Sequence, residues 1–371
     1  MDLEFTPEQA ELRHSVRRLL SERAPISYVR EMYDDARGTT KDVWGRLCDL
    51  GVTGLLVPEQ HGGAGMGMVD MAVALEELGR AVHPGPFAAS AVGAASLVTI
   101  AGTPQDRARL LPGLASGERI GTVALFEPAR RANWMSPATT AEPEAAGWRL
   151  GGTKVHVPDV VAADLLAVTA TDPDGRLGAF VLDLPSGGVD VTGTQTVDGS
   201  RKRGTVVLRG ATARRLGDGD ATEAVAEVVD RLNTAAAVDG VGAAARALEL
   251  ALDYAKTRRQ FDVPIGSFQA IQHLCADMLR AVELARAAAY YACWAADAAD
   301  AAERHRAATM ALAFAADQLY AVGASAVQVH GGIGYTWEHD VHLFYKRLLT
   351  LQQTGGGAVD QLEELATIVL T

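Results

Sequence analysis

Cysteine is scarce in this 371-residue chain: Cys48, Cys275 and Cys293 are widely scattered and share no metal-ligand spacing. Such a set excludes a disulfide framework and reads as reduced core thiols of a cytoplasmic protein. Excess positive charge is missing too. The formal net charge of −12 argues against a nucleic-acid-binding surface and against general attraction of an anionic coenzyme ester. Any phosphate contact then has to come from local arginines. The chain opens on a charged amphipathic helical pattern rather than a secretory signal. Its longest apolar runs are alanine-rich and interrupted by charge, so no membrane span is expected. No strand leads into a G-K-[ST] helix, which makes Gly62-Gly63-Ala64-Gly65 a tight inter-helix loop rather than a phosphate cradle.

What is present is an ordinary globular composition, 48% hydrophobic and 22% charged, on a chain long enough for two or three domains. Thr6-Pro7-Glu8-Gln9 is a capping box with proline at the first helical position. The helix it opens runs through Leu12, Val16, Leu19 and Leu20 and stops near Pro25. Further helical patterns cover residues 40–50, 69–78, 87–101 and 104–114. From Glu118 the texture changes to short β-type runs at 121–126, 148–157, 165–169, 178–182, 189–192 and 205–208. Gly, Pro and Asp clusters separate them, which predicts a small antiparallel β domain. After Gly217-Asp218-Gly219-Asp220 helical periodicity returns over 221–258, 267–299, 304–329 and 340–349. These helices are rich in alanine and suited to close packing. The expected fold is mainly α with a central β domain: an N-terminal helical domain over 1–117, the β domain over 118–217, and a C-terminal four-helix bundle over 218–371.

Two stretches carry more than fold. Arg258-Arg259-Gln260-Phe261-Asp262-Val263-Pro264-Ile265-Gly266-Ser267-Phe268-Gln269 joins two long helical patterns through a breaker cluster, with Ser267 placed to cap the second. It sets arginine forks and an aromatic ring at a corner. Gln328-Val329-His330-Gly331-Gly332-Ile333-Gly334-Tyr335 follows another helix, and its paired glycines let backbone N–H groups approach a ligand. In this order, R-x-Q-F-x-x-P-I-x-x-F-Q and Q-x-H-G-G-x-G-Y resemble the acyl-CoA dehydrogenase family of flavoproteins. The resemblance extends through the segments 47–55, 58–65 and 76–80. It implies an acyl-CoA dehydrogenase-like fold, FAD as cofactor, an acyl thioester substrate, and electron-transfer flavoprotein as redox partner. The implied reaction is α,β-dehydrogenation: a glutamate base removes the α-proton while the flavin takes the β-hydride.

The family's base positions do not carry a carboxylate here. Laying the commoner branch's Tyr-Glu-Gly-Thr segment on this chain puts Thr354 at the tyrosine and Gly355 at the glutamate. The second branch's base falls near Leu232, with Asn233 at the adjacent arginine position. The remaining candidate is Asp239, two turns beyond Leu232 on the same helical face, which is either a functional carboxylate or an ordinary paired one. The ring pocket also departs. Where the family has T-E-P-G-A-G-S-D, this chain has Phe126-Glu127-Pro128-Ala129-Arg130-Arg131-Ala132-Asn133. Where it has G-x-K-x-W-I-T, this chain has Gly152-Thr153-Lys154-Val155-His156-Val157-Pro158, and proline offers no N–H.

The adenine and pyrophosphate end, which the family builds across a subunit interface, is retained: Arg258, Phe261, Gln269, Gln328, Gly331 and Gly332. The resemblance is therefore to the non-catalytic subunit of actinobacterial heteromeric acyl-CoA dehydrogenases, some of which act on steroid side-chain CoA esters. It implies a hetero- or homo-oligomer with another chain of the family. Three other readings stay open: a self-contained dehydrogenase of acyl-CoA or acyl-carrier-protein thioesters with Asp239 as base, a flavin-free member using His156, Glu127 or Arg130, and an oxygen-activating relative. His330 is expected to pack the glycine loop and Glu338 to hold a bundle arginine such as Arg347. Trp134 and Trp148 read as packing residues. Arg201-Lys202-Arg203 reads as solvated surface or a coenzyme phosphate contact. His339 and His342 lack a third partner at helical spacing, so no metal is expected.

Overall fold

The computed structural model describes residues 5–129, 133–145 and 147–370. The chain begins with helix α1 (Pro7–Arg23), whose Thr6 side chain and Gln9 side chain cap each other's backbone as the sequence predicts. There follow α2 (Ile26–Tyr33), α3 (Lys41–Asp49) capped by Thr40, and α4 (Met68–Arg80). A π-helical segment (Ala88–Ala94) runs into α5 (Ala95–Ala101), and α6 (Pro104–Ala115) carries a second capping box on Thr103. The glycine run before α4 is a tight loop: a Cβ at Gly63 would lie 2.0 Å from the Val57 carbonyl oxygen.

The β segment comprises β1 (Gly121–Ala124), β2 (Thr140–Glu144), β3 (Gly147–Pro158), β4 (Leu165–Thr171), β5 (Leu177–Asp183), β6 (Val189–Thr194) and β7 (Arg203–Leu216). Their order is β1-β4-β2-β3-β7-β5, with β6 on β7 and a further β4–β5 pairing. The sheet is not wholly antiparallel. β1 pairs with β4 in parallel, and β2 touches β4 in parallel through Thr140 and Thr171. The chain from β1 to β4 passes through a hairpin before returning beside β1, which periodicity does not reveal. One face of the sheet buries Leu150, Val157, Leu166, Phe180 and Val206. On the other, Val123, Leu165 and Val181 pack with Leu97, Leu111, Leu114 and Val225.

After the sheet come α7 (Thr222–Thr257), the short strands β8 (Arg259–Gln260) and β9 (Val263–Pro264), α8 (Gln269–Ala298), α9 (Ala301–His330), α10 (Val341–Gln352) and α11 (Ala358–Leu370). Small residues recur at helical spacing on the buried faces, Ala281, Ala285, Ala289 and Ala292 on α8 and Ala308, Ala311 and Ala315 on α9, so these helices approach closely. α9 also has the length and hydropathy of a membrane span, a test that a buried core helix passes as well. Its apolar face is covered by α8, α10 and α11. Ser267 does not cap α8. It sits in a 3₁₀ turn, its hydroxyl donates back to the Pro264 carbonyl at 2.7 Å, and the helix starts after Phe268.

By contacts the chain forms two compact units. One comprises Met1–Val29, Ala72–His83 and Asn233–Thr371; the other comprises Arg30–Met71 and Pro84–Leu232.

Candidate functional site

The residues expected to grip the coenzyme lie in the first unit. β8 pairs antiparallel with β9 across two residues, Phe261 and Asp262, both at positive φ (52° and 62°). Such a turn matches the twist of the flanking strands. It leaves the Phe261 ring 88% exposed at the tip, edge-on to Phe268 with centroids 6.1 Å apart. Arg259 folds its guanidinium onto the Asp262 carbonyl of the same turn. The other five sequence-predicted residues, Arg258, Gln269, Gln328, Gly331 and Gly332, are also exposed. Gly331 ends α9 at φ 65° and ψ −143°, a conformation that favours glycine. Open space lies where a Cβ would stand on either Gly331 or Gly332. That leaves room for a diphosphate against the backbone, so this end fits FAD. Below it His330 is buried. It donates from Nδ1 to the Ala326 carbonyl at 2.7 Å and packs 4.6 Å from Tyr254 and 4.2 Å from His339. Burial holds its imidazole below the usual range, so it packs the loop as a neutral ring.

Of the two base positions named from the sequence, Gly355 meets Asn233, the residue beside the other, whereas Leu232 itself packs against the core of the second unit. A Cβ on Gly355 would stand 3.3 Å from Asn233 Oδ1, 2.9 Å from Gln361 Nε2 and 3.0 Å from Leu312 Cδ2. Gln361, on α11, donates Nε2 to the Gly355 carbonyl at 2.6 Å and its backbone N–H to the Gly357 carbonyl at 3.1 Å. Gly355 itself has φ 64°. The place is thus filled by two uncharged amides around a glycine. Neither amide can act as a base near neutral pH. Gln361 was not legible as part of this arrangement, because its helix lies outside the sequence patterns.

Asp239 has a partner. Both its carboxylate oxygens accept from Arg347 Nη1 at 2.9 Å, and Arg347 Nη2 donates to the His83 carbonyl at 3.1 Å. The two side chains are 8% and 3% exposed, so this is a buried ion pair, and Arg347 is committed to Asp239 rather than to Glu338, which is exposed. The backbone beside Asp239 packs directly on α4, since a Cβ on Gly79 would meet the Asp239 carbonyl oxygen at 2.0 Å. The ordinary paired reading of Asp239 has direct geometric support.

In the second unit, the segments at the family's ring pocket are organised around a buried pair. Lys154, 0% exposed, donates to Glu127 Oε1 at 2.9 Å, Thr169 Oγ1 at 3.2 Å and the Leu125 carbonyl at 3.2 Å. Glu127 also accepts from the Ala138 and Thr139 backbone N–H groups and the Thr139 hydroxyl. Burial pushes its carboxyl up, but hydrogen bonds from Thr139, Lys154 and Ala138 outweigh this and hold it at about 2. The Lys154–Glu127 pair therefore ties β3 and β4 to the loop after β1, and Glu127 has no proton to exchange near neutrality. A bulge between Lys154 and Val157 puts His156 at φ 54° and turns it outward, exposed. Arg130 and Arg131 lie outside the described residues. Lys202 is not free for a phosphate: its ammonium donates to the Tyr33 carbonyl at 2.7 Å, and burial lowers its pKa. Trp148 packs on Phe180 at 5.4 Å, with the Arg215 guanidinium 5.1 Å from its ring.

A helical N-terminal segment, a central sheet and a C-terminal helical bundle with these two motifs define an acyl-CoA dehydrogenase-type flavoprotein fold. The chain matches the acyl-CoA dehydrogenase N-terminal domain family over residues 6–118 and the C-terminal domain family over 224–369. It is 32% identical over 362 residues to acyl-CoA dehydrogenase IpdE2 of Mycolicibacterium smegmatis, covering 97% of this chain and 98% of that protein. Among solved structures it is similar to a variant of the Tcur3481-Tcur3483 steroid ACAD, at 33% identity, 98% coverage of each chain and a TM-score of 0.90. It is also similar to the ChsE4-ChsE5 complex from Mycobacterium tuberculosis, at 28% identity, 100% and 99% coverage and a TM-score of 0.90. The chain belongs to the acyl-CoA dehydrogenase family.

Proposed function

We propose that this chain is the non-catalytic subunit of a heteromeric acyl-CoA dehydrogenase. It completes the adenine and pyrophosphate end of an FAD site whose base and ring pocket belong to a partner chain of the same family. The observation that carries this reading is at the two base positions, Gly355 and Leu232: neither is a carboxylate, and Gly355 is closed in by the amides of Asn233 and Gln361. The exposed Arg258, Phe261, Gln328, Gly331 and Gly332 support it from the other side, as groups available to a neighbouring chain. Two of the similar solved structures are described as pairs of differently named chains, and one of them as a steroid ACAD.

In this reading the bound flavin supplies hydride acceptance from the β-carbon of the acyl thioester. This chain's residues do the holding. Arg258 offers a planar fork to a phosphate oxygen, and Phe261 offers a stacking surface. The Gly331-Gly332 backbone brings N–H groups against the diphosphate. A site lacking one chain's own base and ring contacts leaves a wider acyl cavity, which suits a steroid side-chain thioester. Reoxidation falls to electron-transfer flavoprotein.

The test is coexpression with a base-bearing family member, followed by FAD retention through gel filtration. Arg258→Ala and Phe261→Ala in this chain are expected to lower the complex's flavin content while the complex stays assembled. Undiminished retention in both variants contradicts the proposal.

A further inference from the structure

A polar cavity lies within the first unit, among α1, α4, α7 and α8. Its volume is about 360 Å³, within the range of small-molecule sites. The sequence reading gave it no role. Its lining holds four arginines, Arg13 and Arg17 on α1, Arg80 on α4 and Arg286 on α8. Beneath them the carboxylates of Glu76 and Glu77 are buried, 5% and 1% exposed, whereas the guanidiniums of Arg13 and Arg17 are 35% and 47% exposed. Glu77 accepts from Arg13 at 2.9 Å and from Arg17 at 2.6 Å; Glu76 accepts from Arg286 at 3.3 Å and from the Tyr290 hydroxyl at 2.9 Å. Glu249 holds Arg80 and Arg246.

This arrangement points one way. The buried carboxylates of Glu76 and Glu77 fix the guanidinium planes of Arg13, Arg17 and Arg286, and Glu249, a lining residue 40% exposed, holds Arg80, so less side-chain entropy remains to be lost on binding. Counting Arg246 and Glu283, five guanidiniums stand against four carboxylates, in a chain whose net charge is −12. The floor is stiff: a Cβ on Gly242 would fall 1.9 Å from the Glu76 carbonyl oxygen, so α4 and α7 touch backbone to backbone. The mouth is edged by Ala10 and His14, both exposed. The geometry points to a binding site for the phosphoryl group of a small phosphorylated metabolite, separate from the exposed coenzyme-gripping corner.

The probe is inorganic pyrophosphate, titrated into the full chain by calorimetry at constant ionic strength, with a chloride-matched control. Saturable binding with a Kd of about 1 mM or tighter is expected. Ala10→Glu and His14→Glu add a carboxylate at the mouth without removing any paired group. Each is expected to weaken binding about tenfold or more. An unchanged melting temperature in those variants separates a blocked site from a damaged fold. ADP binding tighter than pyrophosphate, and weakened equally by Ala10→Glu, supports the site and makes its occupant a nucleotide. No saturation by about 10 mM overturns the proposal. So does affinity unchanged by both mouth variants, or affinity lost in Arg258→Ala, which would place the anion at the coenzyme corner.

Discussion

Restoring the family's glutamate by Gly355→Glu is expected to damage the chain rather than revive it. Three terms add. The backbone at Gly355 has φ 64°, and a residue with a Cβ costs roughly 1–2 kcal/mol there. The new Cβ would meet Gln361 Nε2 at 2.9 Å and Leu312 Cδ2 at 3.0 Å, and such overpacking costs about 1–3 kcal/mol. The larger side chain also competes with the Gln361–Gly355 hydrogen bond of 2.6 Å, worth about 1 kcal/mol. Together they predict a loss of roughly 3–6 kcal/mol, read as a lowered urea midpoint. The double variant Gly355→Glu with Gln361→Ala removes the nearest clash and is expected to recover part of the loss. Dehydrogenation of an acyl thioester by the purified chain is expected from neither. A Gly355→Glu chain as stable as the parent, turning over alone, would refute the argument that this position is closed.

Other outcomes follow from the same geometry. Lys154→Met leaves Glu127 buried without its cation and is expected to cost about 3–5 kcal/mol in denaturant unfolding. Because the folded-state pKa of Glu127 is depressed to about 2, the stability it contributes is fully present above its unfolded value. It is lost as pH falls from about 4.5 towards 2, so an acid-unfolding curve of Lys154→Met should be shallower over that window. Asp239→Asn takes the charge from Arg347's partner and is expected to lower stability by about 3 kcal/mol or more. If turnover of the assembled enzyme instead vanishes with stability intact, Asp239 is catalytic. Phe261→Ala, at an 88% exposed tip, should change the chain's own stability by less than about 0.5 kcal/mol while lowering flavin retention in the complex.

Much of the fold was legible because its signals are local. The Thr6 capping box, the helical pattern over residues 40–50 and the alanine-rich character of α8 and α9 each lie within a few helical turns. β2 was not, since Thr140–Glu144 buries only Ala141 and carries proline and glutamate. Nor was the parallel pairing of β1 with β4, which depends on how the chain returns. At the site, the sequence picked out the missing glutamate but not its neighbours. Asn233 and Gly355 meet across the fold, and Gln361 arrives from a C-terminal helix that no pattern announced. Lys154 and Glu127 likewise pair from 27 residues apart, a separation that local patterns do not bridge. Arg347 was assigned to Glu338 on proximity in sequence, while its partner Asp239 lies on α7.

The division of labour between two chains is tested most directly by anaerobic titration with a steroid side-chain acyl thioester, following the flavin's visible absorbance. Saturated with FAD, this chain alone should show no bleaching, whereas its assembly with a base-bearing partner should bleach in proportion to added thioester. Bleaching by this chain alone would contradict the account.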